Sequence, residues 1–165
     1  MVIGAAIEKM IDFYGGDLHN VNHSLKVYAF AKAIGASERL DAETQQVLEF
    51  AAIAHDIARP LCQKKYGNTD AKHQEEEGIP LARQFMAELS APDPVAERVA
   101  WLVGHHHTYD DVRDIDHQIL LEADFLVNAD EAAMPEAAIR AALERVFKTR
   151  AGKWMLNTMY LARRP

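Results

Sequence analysis

The chain contains a single cysteine, Cys62, so no internal disulfide can form, and the surrounding "PLCQKK" offers no second thiol for a zinc knuckle. A reducing cytoplasm is the expected compartment. No segment approaches the roughly 20 consecutive apolar residues of a membrane span. The first residues, "MVIGAAIEKMIDFYGG", lack both the early basic region and the long apolar stretch of a secretory signal. Aromatic residues are scarce at 8%, and only eight glycines and six prolines break the pattern. With no alternating strand pattern of useful length, a sandwich or barrel is disfavoured. Basic residues are in deficit too. A formal net charge of -7 argues against a broad basic face for a nucleic-acid polymer, while leaving room for a local phosphate pocket.

Apolar residues are plentiful at 49%, and a length of 165 residues suits one domain spanning 1–165. Helical periodicity dominates, and the breakers divide it into segments near 3–14, 20–35, 41–58, 74–89, 93–107, 116–130, 135–148 and 151–162. The expected fold class is therefore all-α, a bundle of about seven or eight helices. Gly15-Gly16 is read as closing the first helix and Gly35 the second. Asp41 is the expected N-cap of the third, and Asp93-Pro94 suit the start of the fifth of these segments. Residues 59–73, "RPLCQKKYGNTDAKH", read as a polar loop that faces substrate or acts as a lid. The closing "VFKTRAGKWMLNTMYLARRP" reads as a basic amphipathic helix in which Trp154, Leu156 and Met159 pack.

The phase of the histidines is more informative than their number. At about 100° per residue, His23 shares a stripe with Val27, Phe30 and Ile34, and His55 with Val47, Leu48 and Ala51. His106 falls on the stripe of Val95, Val99, Leu102 and Val103, with His105 and His107 flanking it on opposite sides. Asp124 lies beside Leu120, Ala123 and Val127. Four helices thus point metal-competent groups inward, and no lysine or arginine shares their inward phase nearby. A buried carboxylate costs several kcal/mol unless it is paired or bound to a metal. One cation held by imidazoles and carboxylates removes that cost for all of them, and Asp56 could bridge two ions.

The order of these groups resembles the H…HD…D signature of the HD-domain superfamily of metal-dependent phosphohydrolases. It is carried by His23 in "NHSLKVYAFAKAIG", His55-Asp56 in "AAIAHDIARP" and Asp124 in "ILLEADFLV", across residues 20–130. The resemblance implies an all-helical HD-domain-like fold in which His23, His55, Asp56 and Asp124 bind one divalent ion. For a second ion it implies ligands from "VAWLVGHHHTYDD", His106 first and His105 next, with His107 reaching the substrate. There is one departure. Dinuclear relatives usually carry a histidine four residues before a glycine, and Gln74 stands at that spacing from Gly78; His73 and Glu77 are the candidate substitutes. Glu75 and Glu76 are read as solvated acids at a helix start.

The chemistry implied is hydrolysis of a small phosphomonoester or phosphodiester, with a nucleotide foremost, by metal-activated water. One or two divalent ions would serve, iron or manganese first, with nickel, cobalt or zinc compatible with the same ligands. Arg59 follows the doublet where many members carry a basic residue, and its guanidinium suits phosphate oxygens. Asp56, Arg59 and His107 are thus the expected catalytic residues, His107 as a candidate proton donor to the leaving group. Lys64, Lys65 and Lys72 are read as steering an anion, and Tyr109 and Asp110 as lining the entrance. Two alternatives stand beside this reading: a diiron oxygenase of HD type, and a nonenzymatic metal-containing ligand-binding module.

Overall fold

The computed structural model describes residues 2–162, and Arg163 and Arg164 of the expected basic C-terminal helix lie outside them. The described residues form nine α-helices: α1 (Ile3–Tyr14), α2 (Leu18–Ser37), α3 (Ala42–Ala54), α4 (Arg59–Tyr66), α5 (Ala71–Glu88), α6 (Asp93–Val103), α7 (Ile115–Glu131), α8 (Glu136–Arg145) and α9 (Arg150–Leu156). A π-helical turn, Asn157–Leu161, follows α9. No strand occurs among the described residues, as the periodicity predicts.

The helices α3 and α7 carry the architecture. From Val47 to Ala54 every residue of α3 is buried, and its alanines let α1, α2, α6 and α7 approach it from different sides. Along α7, Ile119, Leu120, Ala123, Leu126 and Val127 join the same cluster, and α2 packs against both helices. The pair α5–α6 leans on this centre through α6, and α4 packs on α5. The end of α3 and the middle of α7 therefore meet in the interior, which is where the HD doublet and Asp124 sit.

Helix starts follow the expected chemistry. The Asp17 carboxylate accepts from Asn20 N–H, and Asp41 accepts from the N–H groups of Glu43 and Thr44. Several ends differ from the sequence reading. Helix α2 runs through Gly35 to Ser37 and stops where Arg39 adopts a left-handed φ of 60°. Gly35 is buried inside the helix, with the side-chain amide of Gln45 of α3 lying against it. Residues 59–73 are not one loop. Pro60 sits in the first turn of α4 and Gly67, at φ 73°, closes it, so residues read as breakers are a helix start and stop. Near the C-terminus Leu156 is buried as expected, but Trp154 is 64% exposed and Met159 42%, so neither packs.

The carboxylate of Glu122 is fully buried two residues before Asp124, yet it is saturated within the protein. It accepts from the backbone N–H of Lys148 (2.6 Å) and Thr149 (2.9 Å), from Gln118 Nε2 (2.8 Å) and from the Thr149 hydroxyl. This clasp pins the start of α9 against α7. Glu122→Ala should therefore lower the free energy of unfolding in urea by about 2–5 kcal/mol, since two buried N–H groups lose their acceptor. The metal content of the folded fraction should not change.

Candidate metal centre

Four elements deliver the candidate ligands. His23 lies one and a half turns into α2, and Asp124 lies in the middle of α7. Helix α3 ends at Ala54, short of the expected 58, and the turn that follows presents His55 and Asp56. Likewise α6 ends at Val103, and His106 and His107 stand in the turn after it. His23, His55, Asp56, His106 and Asp124 are each no more than 3% exposed.

The separations are those of a ligand sphere. His23 Nε2 lies 3.1 Å from His55 Nε2. Asp124 Oδ1 is 3.2 Å from the first and 3.5 Å from the second, and Asp56 Oδ2 is 3.6 and 3.7 Å from them. The other oxygen of Asp56, Oδ1, turns to His106 Nε2 at 3.6 Å. Ligand atoms of His23, His55 and Asp56 all lie within 4.8 Å of one another, and so do those of Asp56, His106 and His107. Asp56 belongs to both groups, one oxygen in each direction.

The tautomers follow from the outer bonds. His23 Nδ1 contacts the Glu131 carboxylate at 2.8 Å, His55 Nδ1 the Ala52 carbonyl at 2.9 Å, and His106 Nδ1 the Val103 carbonyl at 2.6 Å. Each acceptor demands a proton on Nδ1, which leaves the lone pair on Nε2 facing inward. Two imidazole lone pairs at 3.1 Å, among carboxylates and away from water, repel unless a cation lies between them. The donor set of imidazoles and carboxylates fits a divalent transition metal.

In the metal-free chain a proton takes that place. Burial opposes charge on His23, but the hydrogen bond to Asp124 and the charges of Asp56 and Asp124, with Glu131 behind, outweigh it and raise the imidazole to about 9. Burial likewise favours neutral Asp56 and Asp124, yet the imidazoles of His55, His106 and His23 hold both carboxyls below the usual range. Arg59, one third exposed, donates from Nη1 to Asp56 Oδ2 at 3.3 Å and supplies further positive charge. His107 behaves differently. Burial, then the charge of His106, push it down to about 4, so it offers a lone pair at neutral pH and not a proton. That favours a ligand or acceptor over the leaving-group acid expected from sequence.

His105 is not brought to the centre. Its ring stacks on Trp101 at 4.1 Å between centroids, its Nδ1 donates to the Trp101 carbonyl at 2.7 Å, and its own carbonyl accepts from His117 Nε2 at 2.8 Å. Consecutive side chains in a tight turn diverge, so three neighbouring histidines cannot all face one point; the aromatic four residues earlier captures His105. The candidate substitutes for a second site also lie elsewhere. His73 stacks on Tyr66 at 3.8 Å, and Glu77 accepts from Lys65 Nζ (2.5 Å) and Tyr66 hydroxyl (2.6 Å). Lys65 and Lys72 are engaged with Glu77 and Glu76, which weakens their role in steering. Glu75 is not merely solvated: its carboxylate accepts from His107 N–H (3.0 Å) and the Thr108 hydroxyl (2.9 Å), tying α5 to the histidine turn. Tyr109 is half-exposed, and burial and the Asp124 charge push its phenol up to about 12, so it stays a donor.

Sequence reasoning misses Glu131 and Tyr14 and reads Glu75 only as a solvated acid. Glu131 was detectable in principle, since it stands seven residues, two turns, after Asp124 on the same face of α7. Glu75 acts across a distance that periodicity does not register. The buried Tyr14 hydroxyl, raised by burial and then by Asp56, lies close enough to feel the doublet, and nothing in its local sequence marks it.

The raised His23 sets a pH dependence. A divalent ion must displace its proton, so affinity should fall about tenfold per pH unit below about 9 for a one-proton exchange, measurable by competition titration between pH 6.5 and 8.5. Stability of the metal-free chain should run the other way. The protonated His23 contributes fully below its unfolded value near 6.5 and loses that contribution as pH rises through about 9, readable from urea midpoints at fixed metal-free conditions.

The profile described as "HD domain" matches residues 20–141. No curated protein matches. Among solved structures, the crystal structure of a predicted HD superfamily hydrolase from an uncultured Thermotogales bacterium superposes with a TM-score of 0.65 at 23% identity, over 96% of this chain and 83% of that one. At that identity the likeness establishes the fold, all-helical and HD-like. The profile match extends over most of the chain and includes His23, His55, Asp56, His106 and Asp124, and the chain belongs to the HD-domain family.

Proposed function

We propose that the protein is a metal-dependent phosphohydrolase that cleaves a small phosphomonoester or phosphodiester, a nucleotide foremost, using a divalent ion held by His23, His55, Asp56 and Asp124. The observation that carries the reading is the inward pair of imidazole nitrogens, 3.1 Å apart, with Asp124 Oδ1 within 3.5 Å of both. A divalent ion held there would supply an activated water near neutral pH and would withdraw charge from a phosphoryl oxygen.

The remaining work falls to this chain's own groups. Glu131, Ala52 and Val103 fix the three imidazole tautomers, so no reorganisation is needed when a ligand arrives. Arg59 is the cation that reaches both the buried doublet and solvent, and its fork is suited to two phosphoryl oxygens. In the free chain it rests on Asp56; on substrate binding it would transfer part of that interaction to the phosphate. Tyr109, held protonated and half-exposed, is placed to donate to the substrate at the rim. Arg59 also favours hydrolysis over the structural-metal alternative, because a closed structural site has no use for a partly exposed guanidinium at its edge.

Asp56→Ala should remove bound metal and phosphatase activity together, judged by elemental analysis and by release of p-nitrophenol from p-nitrophenyl phosphate; full activity in the metal-free variant would refute the mechanism. Arg59→Ala should lower turnover at least tenfold with metal content intact. Equal loss of metal in that variant would make Arg59 a structural residue.

A further inference from the structure

The segment after the histidine turn borders a cavity of about 270 Å³ that the metal centre does not use. Three stretches of chain line it: Tyr109 and Asp110 from that segment, Gln118 and Leu121 from α7, and Arg145 and Lys148 from the end of α8 and just beyond it. Its walls are fixed to one another. Gln118 Nε2 donates to the Val146 carbonyl at 2.7 Å and to Glu122 at 2.8 Å, and Glu122 also accepts from the Lys148 N–H at 2.6 Å. The cavity also lies close to the metal centre. Leu121 stands three residues before Asp124 on α7, and residues three apart on a helix have Cβ atoms about 5–6 Å from each other. Tyr109 stands two residues after His107, and its phenol feels the charge of Asp124.

Charge and size indicate what the cavity takes. With a net charge of -7, the chain pairs most of the lysines and arginines among the described residues with a carboxylate, as Lys26 with Glu131 and Arg98 with Asp114 and Asp116. Arg145 and Lys148 form no such pair among the described residues, although Asp110 lines the same cavity; the Lys148 ammonium reaches only the Glu144 carbonyl, at 3.4 Å. Arg145 suits the negative end of α8, but that end does not call for a second cation beyond the helix. Two like charges at one cavity repel each other until an anion joins them. At about 270 Å³ the space falls below the roughly 300–1,000 Å³ of pockets that enclose a whole drug-sized ligand, so it suits one charged group of a larger molecule. We infer that Arg145 and Lys148 bind a second phosphoryl group of the substrate, separated by a few bonds from the one held at the metal centre. This rests on the phosphohydrolase reading and adds a substrate class to it: esters phosphorylated at two positions, such as a nucleoside with phosphates on two carbons of its sugar, are favoured over monophosphates. The guanidinium offers a fork to two phosphoryl oxygens and the ammonium a point charge.

The test uses two probes that resist hydrolysis, propylphosphonate with one anionic group and propane-1,3-bisphosphonate with two, titrated calorimetrically into the full chain loaded with manganese. The wild type should bind the bisphosphonate at least about tenfold more tightly. The double variant Arg145→Gln/Lys148→Gln should lower that ratio to about two, the statistical advantage of two equivalent ends. Lys153→Gln, which removes an exposed positive charge outside the cavity, should leave the ratio at its wild-type value. Equal affinities in the wild type, no measurable binding of either probe, or a ratio unmoved in the double variant overturns the inference. A ratio lowered as far by Lys153→Gln overturns it too, because overall charge then explains the preference. Should circular dichroism show that the double variant does not fold, the two single variants decide, and an unmoved ratio in both is equally fatal. Hydrolysis is judged separately with p-nitrophenyl phosphate. Turnover without a bisphosphonate preference keeps the hydrolase reading and removes this site; a preference without turnover keeps the site and removes that reading.

Discussion

The structure is organised around a charge imbalance in a dry interior. Two imidazole nitrogens, with their protons drawn to the far side by Glu131 and the Ala52 carbonyl, face each other across a gap lined by Asp56 and Asp124. Such a constellation is costly without a positive charge at its centre. In the free chain that charge is shared between a proton on His23 and the Arg59 guanidinium, neither of which satisfies all four ligands at once. The metal-free fold is thereby held in a geometry that a divalent ion completes. The energy of that pre-organisation is drawn from packing elsewhere, chiefly the fully buried stretch of α3 and the inner face of α7.

Asp56 connects this centre to the rest of the site. Its two oxygens diverge, Oδ2 toward His23 and His55, Oδ1 toward His106, and Arg59 bonds to Oδ2 from the solvent side. That divergence depends on α3 stopping at Ala54. Had the helix continued, the side chain following His55 would have rotated by about 100° away from the cluster. The alanine-rich end of α3 and the Ile57–Ala54 turn bond let the chain change direction there, and Pro60 then starts α4 without needing an N–H. The helix ends, not the helix middles, present three of the inward groups.

Much of this was legible in the sequence, for a definable reason. Helical phase predicts which way a side chain points, so His23, His55, His106 and Asp124 were placed inward from periodicity alone, and the all-helical fold followed from the same pattern. Phase is silent where the helix stops. It therefore extended α3 to 58 and α6 to 107, merged α4 with a loop, and left His105 and His107 as equal flanks of His106. The structure separates them through contacts distant in sequence or outside the helical repeat: Trp101 and His117 hold His105 away, and Glu75 holds the His107 backbone. Gly35 shows the same limit from another side, since a glycine inside a helix looks identical in sequence to one that ends it.

The division of labour that results bears on where specificity resides under the hydrolase reading. The ligand residues sit on packed helices or turns anchored by backbone carbonyls, almost wholly shielded from solvent, so their geometry is fixed by the core. Around them Arg59 is one third exposed, and in the segment after the histidine turn Tyr109 is half-exposed and Asp110 exposed. That segment has no regular structure between Thr108 and Asp114, and Glu75 ties its first residues to α5 through Thr108. Substitutions there can reshape what binds beside the metal without disturbing the ligands, whereas substitutions along α3 or α7 disturb both fold and site. Under the hydrolase reading the chemistry would thus be a property of the core, and the choice of substrate a property of the short irregular segment beside it.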